Sequence, residues 1–307
     1  MQNTVGTAIA FNGVGLHSGR PVRLVVMPAP ADHGIWFRRT DIADPAASFV
    51  AASWTNAVPS ALCTRLRNDA GTEIATVEHL LAALSGCGVR NALIELDGPE
   101  VPILDGSARP FVEAIMAAGI EEQQVADRAI EILRPVEVRR GDAVARLDPA
   151  ETLQMDFAIE FEDAAIGAQS KTLDLANGAF VRELCDSRTF CRRSDVDAMR
   201  AAGLALGGSL DNAVVVEGAD VLSPGGLRHA DEAVRHKMLD ALGDLSLAGA
   251  PIMGRYTGRR AGHALTGALL EALFADPSAW RVVTCDDWRA ETLPGAGVKP
   301  QDLRAAV

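Results

Sequence analysis

Cysteine is scarce and scattered in this chain of 307 residues. The five cysteines are odd in number, and no two have the Cys-x-x-Cys spacing of a thiolate zinc knuckle. A disulfide framework is not indicated either, because such frameworks are typical of small secreted domains dense in cysteine. The sequence therefore predicts reduced thiols in a cytoplasmic protein. The cysteines are Cys63, Cys87, Cys185, Cys191 and Cys285.

Basic residues are outnumbered, with 29 Lys and Arg against 41 Asp and Glu, which gives a formal net charge of −12. This balance argues against a nucleic-acid-binding protein, because neutralising phosphates requires a surplus of Lys or Arg. One anionic substrate held by a few local cations stays compatible with it. No apolar run approaches the roughly 20 residues that cross a bilayer. The first residues, Met1 to Gly6, lack the basic and apolar regions of a signal peptide. We therefore expect no transmembrane segment.

Internal repeats and low-complexity segments are also missing, so the fold must be read from apolar periodicity. Strands are expected at 20–27, 91–97 and 155–161, and two more across 130–147 with a turn at Gly141-Asp142. Helices are expected at 77–85, 110–118, 230–247 and 264–274. Strands followed by a helix or two, and then the same order again, favour α+β with antiparallel or mixed sheets over repeating βαβ units. The charged stretch 120–128 is the best candidate for a domain boundary.

The first candidate site is Glu78-His79 in the predicted helix 77–85. At about 100° per residue the apolar side chains form one core-facing stripe, and His79 lies almost opposite to it. The pattern argues against a core histidine but leaves a solvated polar face open. Thr76 is a plausible N-cap, and the helix dipole alone would favour a carboxylate at Glu78. The stripe consists of Val77, Leu80, Leu81 and Leu84.

The second candidate site is His236 and Asp240, with Asp244 one turn further along the predicted helix 230–247. An i, i+4 pair places two side chains over one turn, close enough to share an ion. Imidazole nitrogen and carboxylate oxygen both suit Zn²⁺. The spacing alone is a weak signal, since most such pairs are surface hydrogen bonds. A third candidate, His263, precedes the last predicted helix and could equally be a surface or capping residue.

Together these residues have the donor count of a catalytic zinc site, which needs three protein ligands and an open position for water. A carboxylate next in sequence to a ligand can take a proton from that water, the neighbour relation of His-Glu-x-x-His sites. A further histidine can donate a proton or stabilise the developing oxyanion. Spacing does not establish that residues 79 and 236 meet in space.

Seven segments, in order over about 250 residues, give the chain a specific resemblance. It is similar to the UDP-3-O-acyl-N-acetylglucosamine deacetylase family, which performs the committed step of lipid A biosynthesis in Gram-negative bacteria. The segments are GVGLHSG (13–19), TVEHLLAAL (76–84), PILDGS (102–107), SRTF (187–190), GGSLDN (207–212), HKMLD (236–240) and GHAL (262–265).

The resemblance implies a metal site and a set of catalytic roles. Zn²⁺, or Fe²⁺ in the cell, would be held by His79, His236 and Asp240. Glu78 would be the general base, and His263 the general acid oriented or charged by Asp244. Thr189 would help to stabilise the tetrahedral intermediate.

The resemblance also implies a substrate site for UDP-3-O-acyl-GlcNAc. Phe190 would pack against the sugar, Lys237 would face the nucleotide phosphates, and Gly208 and Ser209 would bind substrate. An inserted segment near 193–215 would form an apolar passage for the acyl chain. Ordinary core packing is the alternative for its apolar residues, which include Met199, Leu204, Leu206 and Leu210. His17 and His229 are left with surface or capping duties.

The implied architecture is two layered sheet-and-helix domains of similar topology, with the active site between them. The expected division is 1–123, 129–290 and a tail at 291–307, in a cytoplasmic monomer. Three other functions stay open: an amidohydrolase of the same fold acting on another substrate, a non-catalytic nucleotide-sugar-binding relative, and a structural zinc protein. The intact Glu78, His263 and Asp244 argue against a non-catalytic relative. A structural zinc site would need a fourth protein ligand, for which no cysteine or histidine nearby in sequence is an obvious candidate.

Overall fold

A computed structural model of the chain describes residues 1–60 and 62–306, with side chains described up to residue 303; Val307, in the expected tail, lies outside the described residues. The first part of the chain contains strands β1 (Asn3–Val5), β2 (Ile9–Val14), β3 (Pro21–Pro28), β4 (Ile35–Arg39), β5 (Phe49–Ala51), β6 (Ala57–Val58), β7 (Arg65–Arg67), β8 (Glu73–Ala75), β9 (Ala92–Leu96) and β10 (Ile120–Glu122). Its helices are α1 (Pro45–Ser48), α2 (Glu78–Gly86) and α3 (Arg109–Ala118), with a 3₁₀ turn at Trp54–Asn56.

The second part begins at residue 128. Its strands are β11 (Arg128–Ile132), β12 (Val136–Arg140), β13 (Ala143–Asp148), β14 (Leu153–Glu160), β15 (Ala168–Asp174), β16 (Phe190–Arg192), β17 (Val214–Glu217), β18 (Asp220–Val221), β19 (Ile252–Arg259) and β20 (Trp280–Thr284). Its helices are α4 (Ala179–Glu183), α5 (Arg193–Ala201), α6 (Glu232–Ser246), α7 (His263–Ala275) and α8 (Asp287–Thr292), followed by a 3₁₀ helix at Pro300–Ala306.

The first sheet has the strand order β2-β3-β9-β4-β5. Its alternating strand β3 buries Val22, Leu24 and Val26 and leaves the residues between them more exposed, as the sequence pattern predicts. Strand β4 runs parallel to β9, whereas the other neighbours in this sheet are antiparallel. The sheet is therefore mixed.

The second sheet has the order β12-β13-β19-β11-β20, and β14 also pairs with β19 and carries β15 beside it. The predicted turn at Gly141-Asp142 joins β12 to β13, where Gly141 has a φ of +58°. The range 130–147 also includes the end of β11, so the prediction of two strands there is wrong by one. Strand β19 lies parallel to β11 and to β14 and antiparallel to β13, so this sheet is mixed as well. Two mixed sheets with helices packed on them confirm the α+β class.

The helices predicted from periodicity agree with α2, α3, α6 and α7 to within two residues at each end. Thr76 was predicted to be the N-cap of α2, and this prediction is wrong. It has a φ of +57°, and its hydroxyl donates to Glu100 Oε1 at 2.9 Å, while Val77 occupies the cap position without a side-chain bond. The hydroxyl of Thr76 is therefore bonded to Glu100 and not to the first turn of α2.

Helix α2 packs directly on α6, which brings the two halves of the chain together at their helical layers. Gly243 on α6 makes this approach possible, because a Cβ there would lie 2.1 Å from the carbonyl oxygen of Glu78. Strand β10 ends at 122 and β11 starts at 128. The domain division at this point, and the similar topology of the two halves, stay predictions. None of the helices in the described ranges has the length and apolar character to span a membrane.

Candidate metal centre and active site

Three side chains from the two packed helices form a cluster. His79 lies in the first turn of α2, and His236 and Asp240 lie one turn apart on α6. One potential ligand atom from each residue lies within 4.8 Å of the other two. His79 is only 4% exposed, so the alternative that it lies on a solvated polar face of α2 is wrong. The face of α2 that points away from its own core is covered by α6.

Hydrogen bonds around the cluster leave the potential ligand atoms free. His236 Nδ1 lies 3.0 Å from the carbonyl oxygen of Ser187, and since a carbonyl can only accept, Nδ1 carries the proton and Nε2 keeps its lone pair. Asp240 Oδ2 accepts from Lys237 Nζ at 2.8 Å. Asp240 Oδ1 is buried and has no hydrogen-bond partner within the described ranges. It lies 3.2 Å from His236 Nε2 and 3.5 Å from His79 Nε2.

The ionisation of these groups also fits a divalent metal ion. Burial lowers the pKa of His79, which favours the neutral imidazole that a metal needs. Burial opposes the ionisation of Asp240, but His236 and Lys237 outweigh it and hold the pKa of this carboxyl well below its usual range. Burial likewise opposes the charge on Lys237, whose pKa is nevertheless raised because Asp240 lies beside it. The cluster can therefore bind a metal ion through two imidazoles and a carboxylate.

Glu78 lies next to this cluster and is 3% exposed. Its Oε2 accepts the main-chain N–H of Thr64 at 3.0 Å, and its Oε1 lies 3.8 Å from His263 Nε2. Burial is the main cause that raises the pKa of Glu78 to about 8, with Asp240 and Asp244 adding to it and His263 opposing it. A cation held by the neighbouring ligands would lower this pKa and favour the carboxylate.

His263 faces the cluster from the N-terminus of α7. Its Nδ1 lies 2.9 Å from Asp244 Oδ2, and its Nε2 lies 3.8 Å from Asp240 Oδ2. Burial disfavours the imidazolium, but Asp244 and Glu78 outweigh it and raise the pKa of His263 to about 9. The Asp244 carboxylate therefore favours the imidazolium form, whose Nε2–H can donate a proton into the site.

A cavity of about 530 Å³ opens beside the cluster. All the residues expected to bind substrate line it together with His236, Asp240 and His263. Met199 and Leu210 of the expected passage line it too, and α5 has no buried residue, so Met199 is not ordinary core packing. Leu206 is instead 56% exposed, and Leu204 does not line the cavity. The expected substrate residues are Thr189, Phe190, Gly208, Ser209 and Lys237.

Thr189 and Phe190 are held at the edge of the cavity by the segments around Gly106 and Asn212. The N–H of Thr189 donates to Gly106 O at 2.8 Å, and a Cβ at Gly106 would lie 2.0 Å from the carbonyl oxygen of Asn212. The ring centroid of Phe190 lies 6.3 Å from that of His236, in an edge-to-face arrangement. Three of the recognised segments, around 106, 189 and 212, therefore meet in one place.

Two residues of the site were not anticipated from the sequence. Thr64 contacts Glu78, Asp244 and His263, and no local pattern marks it. His17 was expected to have a surface or capping role, and the surface position is wrong: it is 9% exposed, lines the cavity, and neither ring nitrogen has a hydrogen-bond partner in the described part of the chain. His229 instead pairs with Asp186 at 2.9 Å, away from the metal cluster.

An α+β fold with a buried His-His-Asp cluster, an adjacent carboxylate and a charged histidine has the features of a metal-dependent hydrolase. A family model described as UDP-3-O-acyl N-acetylglycosamine deacetylase matches residues 2–275, and the chain belongs to this family. This confirms the resemblance drawn from the seven segments.

Curated relatives extend the similarity over nearly the full length. A UDP-3-O-acyl-N-acetylglucosamine deacetylase of Phenylobacterium zucineum is 50% identical over 292 residues, which cover 95% of this chain and 99% of the relative. One of Idiomarina loihiensis is 47% identical over 307 residues, covering 99% of both chains. One of Shewanella frigidimarina is 46% identical over 287 residues, covering 93% of both chains.

Proposed function

We propose that the chain hydrolyses the 2-acetamido group of UDP-3-O-acyl-N-acetylglucosamine and releases acetate, with Zn²⁺ as its metal. The relatives carry this activity in their names. The observation that carries the proposal is the convergence of His79 Nε2, His236 Nε2 and Asp240 Oδ1, which has no hydrogen-bond partner among the described residues, with Glu78 and His263 beside them. The reaction would be the committed step of lipid A synthesis in the cytoplasm.

Two imidazole nitrogens and one carboxylate oxygen are the donor set of many catalytic zinc sites, and the same donors suit Fe²⁺. Because Lys237 Nζ donates to Asp240 Oδ2, Oδ1 is the carboxylate oxygen left to bind the ion. When bound, such an ion supplies Lewis acidity and makes water a nucleophile at neutral pH. The buried position of the three ligands supports tight binding of the ion.

Glu78 is proposed as the general base that removes a proton from the attacking water. Its Oε2 is fixed by the Thr64 N–H, so Oε1 is the oxygen that faces the site. A base acts from within hydrogen-bond reach of the proton that it removes. Glu78 stands next to the ligand His79 on the first turn of α2, which keeps it within that reach.

His263 is proposed as the general acid. Its Nδ1–H is held by Asp244, so Nε2–H is the donor that faces the reacting group. The charged imidazolium would stabilise negative charge on the amide oxygen and then give its proton to the leaving amine. His263 Nε2 and Glu78 Oε1 lie 3.8 Å apart, so the proton that Glu78 takes from water can be returned to His263 after His263 has given its own proton to the amine.

Substrate contacts are proposed for the remaining cavity residues. Thr189 would donate to the developing oxyanion, and Phe190 would pack against the sugar. Lys237 would meet the phosphates, Gly208 and Ser209 would line the sugar and acyl binding region, and the acyl chain would run past Met199. We also propose a monomer divided into domains 1–123 and 129–290.

The proposed function is tested by measuring acetate release from UDP-3-O-acyl-GlcNAc and from UDP-GlcNAc, which lacks the acyl chain. Rapid release from the first and at least about 100-fold lower kcat/KM for the second would support the substrate assignment, because burial of an acyl chain contributes several kcal/mol. Equal kcat/KM for the two substrates would mean that the enzyme does not recognise the acyl chain. Release from neither would overturn the activity itself.

A further inference from the structure

Thr64 is a buried residue of the first half of the chain that reaches the catalytic groups of the second half. It lies in the loop just before β7 and is 6% exposed. Its contacts with Asp244 on α6 and His263 on α7 span 180 and 199 residues of sequence. Thr64 contacts none of the three metal ligands through a hydrogen bond.

The hydroxyl of Thr64 takes part in a three-membered hydrogen-bond cluster. Since the Asp244 carboxylate can only accept, the hydroxyl donates its proton to Asp244 Oδ1. The lone pairs of Thr64 Oγ1 then face His263 Nδ1 at 3.1 Å, while Asp244 Oδ2 lies 2.9 Å from the same nitrogen. The Nδ1–H of His263 therefore has two acceptors, Thr64 Oγ1 and Asp244 Oδ2. The hydrogen bond from Thr64 to Asp244 Oδ1 fixes the plane of the carboxylate.

The main chain of Thr64 makes a separate contact with the general base. Its N–H donates to Glu78 Oε2 at 3.0 Å, which turns Oε1 toward His263 Nε2. The single residue thus touches the base through its backbone, and the acid and its partner through its side chain. Only the side-chain contacts are removed by a substitution.

We propose that Thr64 is a positioning residue for the general acid: its hydroxyl orients Asp244 and His263 Nδ1 and so directs Nε2–H of His263 into the site. This inference rests on the proposed function. The alternative is that Thr64 only fills space between the two halves. Valine has nearly the same shape without the hydroxyl, and serine keeps the hydroxyl without the methyl group. The two substitutions therefore separate positioning from packing.

The test compares T64V and T64S with wild type and with T72V. Thr72 is also buried, in the turn between β7 and β8, and belongs to no part of the site, so T72V reports the cost of a buried Thr→Val change in the same hairpin. For T64V we expect kcat for acetate release to fall about 10- to 100-fold, the effect of losing a hydrogen bond to a charged group. KM and bound metal should change little, and T64S should recover most of the loss.

A double-mutant cycle with D244N shows whether Thr64 acts through Asp244. If it does, adding T64V to D244N lowers kcat by no more than about 3-fold, although T64V alone lowers it far more. Full additivity of the two losses would overturn the proposed route. Equal activity of T64V and wild type, or a T64S variant as slow as T64V, would overturn the positioning role.

A measurement independent of turnover separates this inference from the proposed function. A hydrogen-bonded Nδ1–H of His263 should give a downfield proton resonance in the metal-loaded protein, assigned by its loss in H263Q. We expect T64V to shift this resonance upfield or to broaden it by exchange, and T64S to restore it. An unchanged resonance in T64V would overturn the inference, even if the protein proves to be an active deacetylase. If wild type releases no acetate, the proposed function fails, and the resonance alone decides the role of Thr64.

Discussion

Gly243 on α6 packs against the main chain of Glu78 on α2, so closely that a Cβ would lie 2.1 Å from the Glu78 carbonyl oxygen. This contact sets the distance between the helix that carries His79 and the helix that carries His236 and Asp240. Because the cluster needs atoms from both helices within a few ångströms, a glycine at this position is a condition for the metal site.

G243A should therefore damage both stability and metal binding. The methyl group would run into three main-chain atoms of Glu78 (O, C and Cα), none of which can rotate aside. We expect the free energy of unfolding of the metal-free protein to fall by about 1–3 kcal/mol, the usual cost of overpacking. Zinc affinity should fall as well. Chemical denaturation and a zinc titration would measure the two effects.

G267A provides the matched control. Gly267 lies inside α7, and apart from its chain neighbours and the backbone of its own helix a Cβ there meets no atom of the described residues within 4 Å. Since alanine is favoured over glycine in a helix by up to about 1 kcal/mol, G267A should leave stability unchanged or raise it. If G243A and G267A had the same stability and the same zinc affinity, the close contact between α2 and α6 would not be required for the metal site.

H79A and H236A should each lose metal, because each removes one of the three ligands. We expect zinc bound after dialysis against a trace of free metal to fall well below one ion per chain. Elemental analysis of the purified variants gives the number. H229A is the control, since His229 pairs with Asp186 outside the cluster. One ion per chain in both ligand variants would mean that the metal is held elsewhere.

E78Q should separate metal binding from chemistry. Glutamine keeps the size of the side chain and can still accept the Thr64 N–H, but it cannot remove a proton. We expect one zinc ion per chain and a kcat lower by about 10²- to 10⁴-fold, the contribution of a general base. Steady-state acetate release and metal content measured on one preparation test this. An active E78Q variant would exclude Glu78 as the base.

M199Q should weaken binding of substrates with long acyl chains. Met199 lines the cavity beside the metal cluster, and a polar group there would be desolvated by the chain. We expect KM to rise about 10-fold for a long chain and less for a short one, in line with the burial energy of one apolar side chain. L206Q is the control, because Leu206 is 56% exposed and does not line the cavity. Equal effects of the two variants would place the acyl chain elsewhere.

The main helices and several strands were predictable because they have clear apolar periods, whereas the long strands β15 and β19 were not predicted. The burial of His79 was not, since a helical pattern reports only which face the helix turns to its own core. That the opposite face is covered by α6 depends on packing between distant segments. Thr64 was missed for the same reason, because its partners lie 180 and 199 residues away in the sequence. His17 stands in a loop without periodicity, so its burial had no local signal.

The roles of the site residues followed from the seven ordered segments and not from spacing. An i, i+4 pair such as His236 and Asp240 is common on helix surfaces. Only the folded chain reveals the lone pair left on His236 Nε2 and the lack of a hydrogen-bond partner for Asp240 Oδ1 in the part of the chain that the structure describes.

In the proposed reaction, acetate release requires one metal ion held by His79, His236 and Asp240. The most direct test strips the protein with a chelator, adds Zn²⁺ back in steps, and follows acetate release from UDP-3-O-acyl-GlcNAc against bound metal. We expect no release without metal and a linear rise that ends at one ion per chain, with E78Q binding the same amount and releasing almost nothing. Full activity in the stripped protein, with metal below detection, would contradict the account.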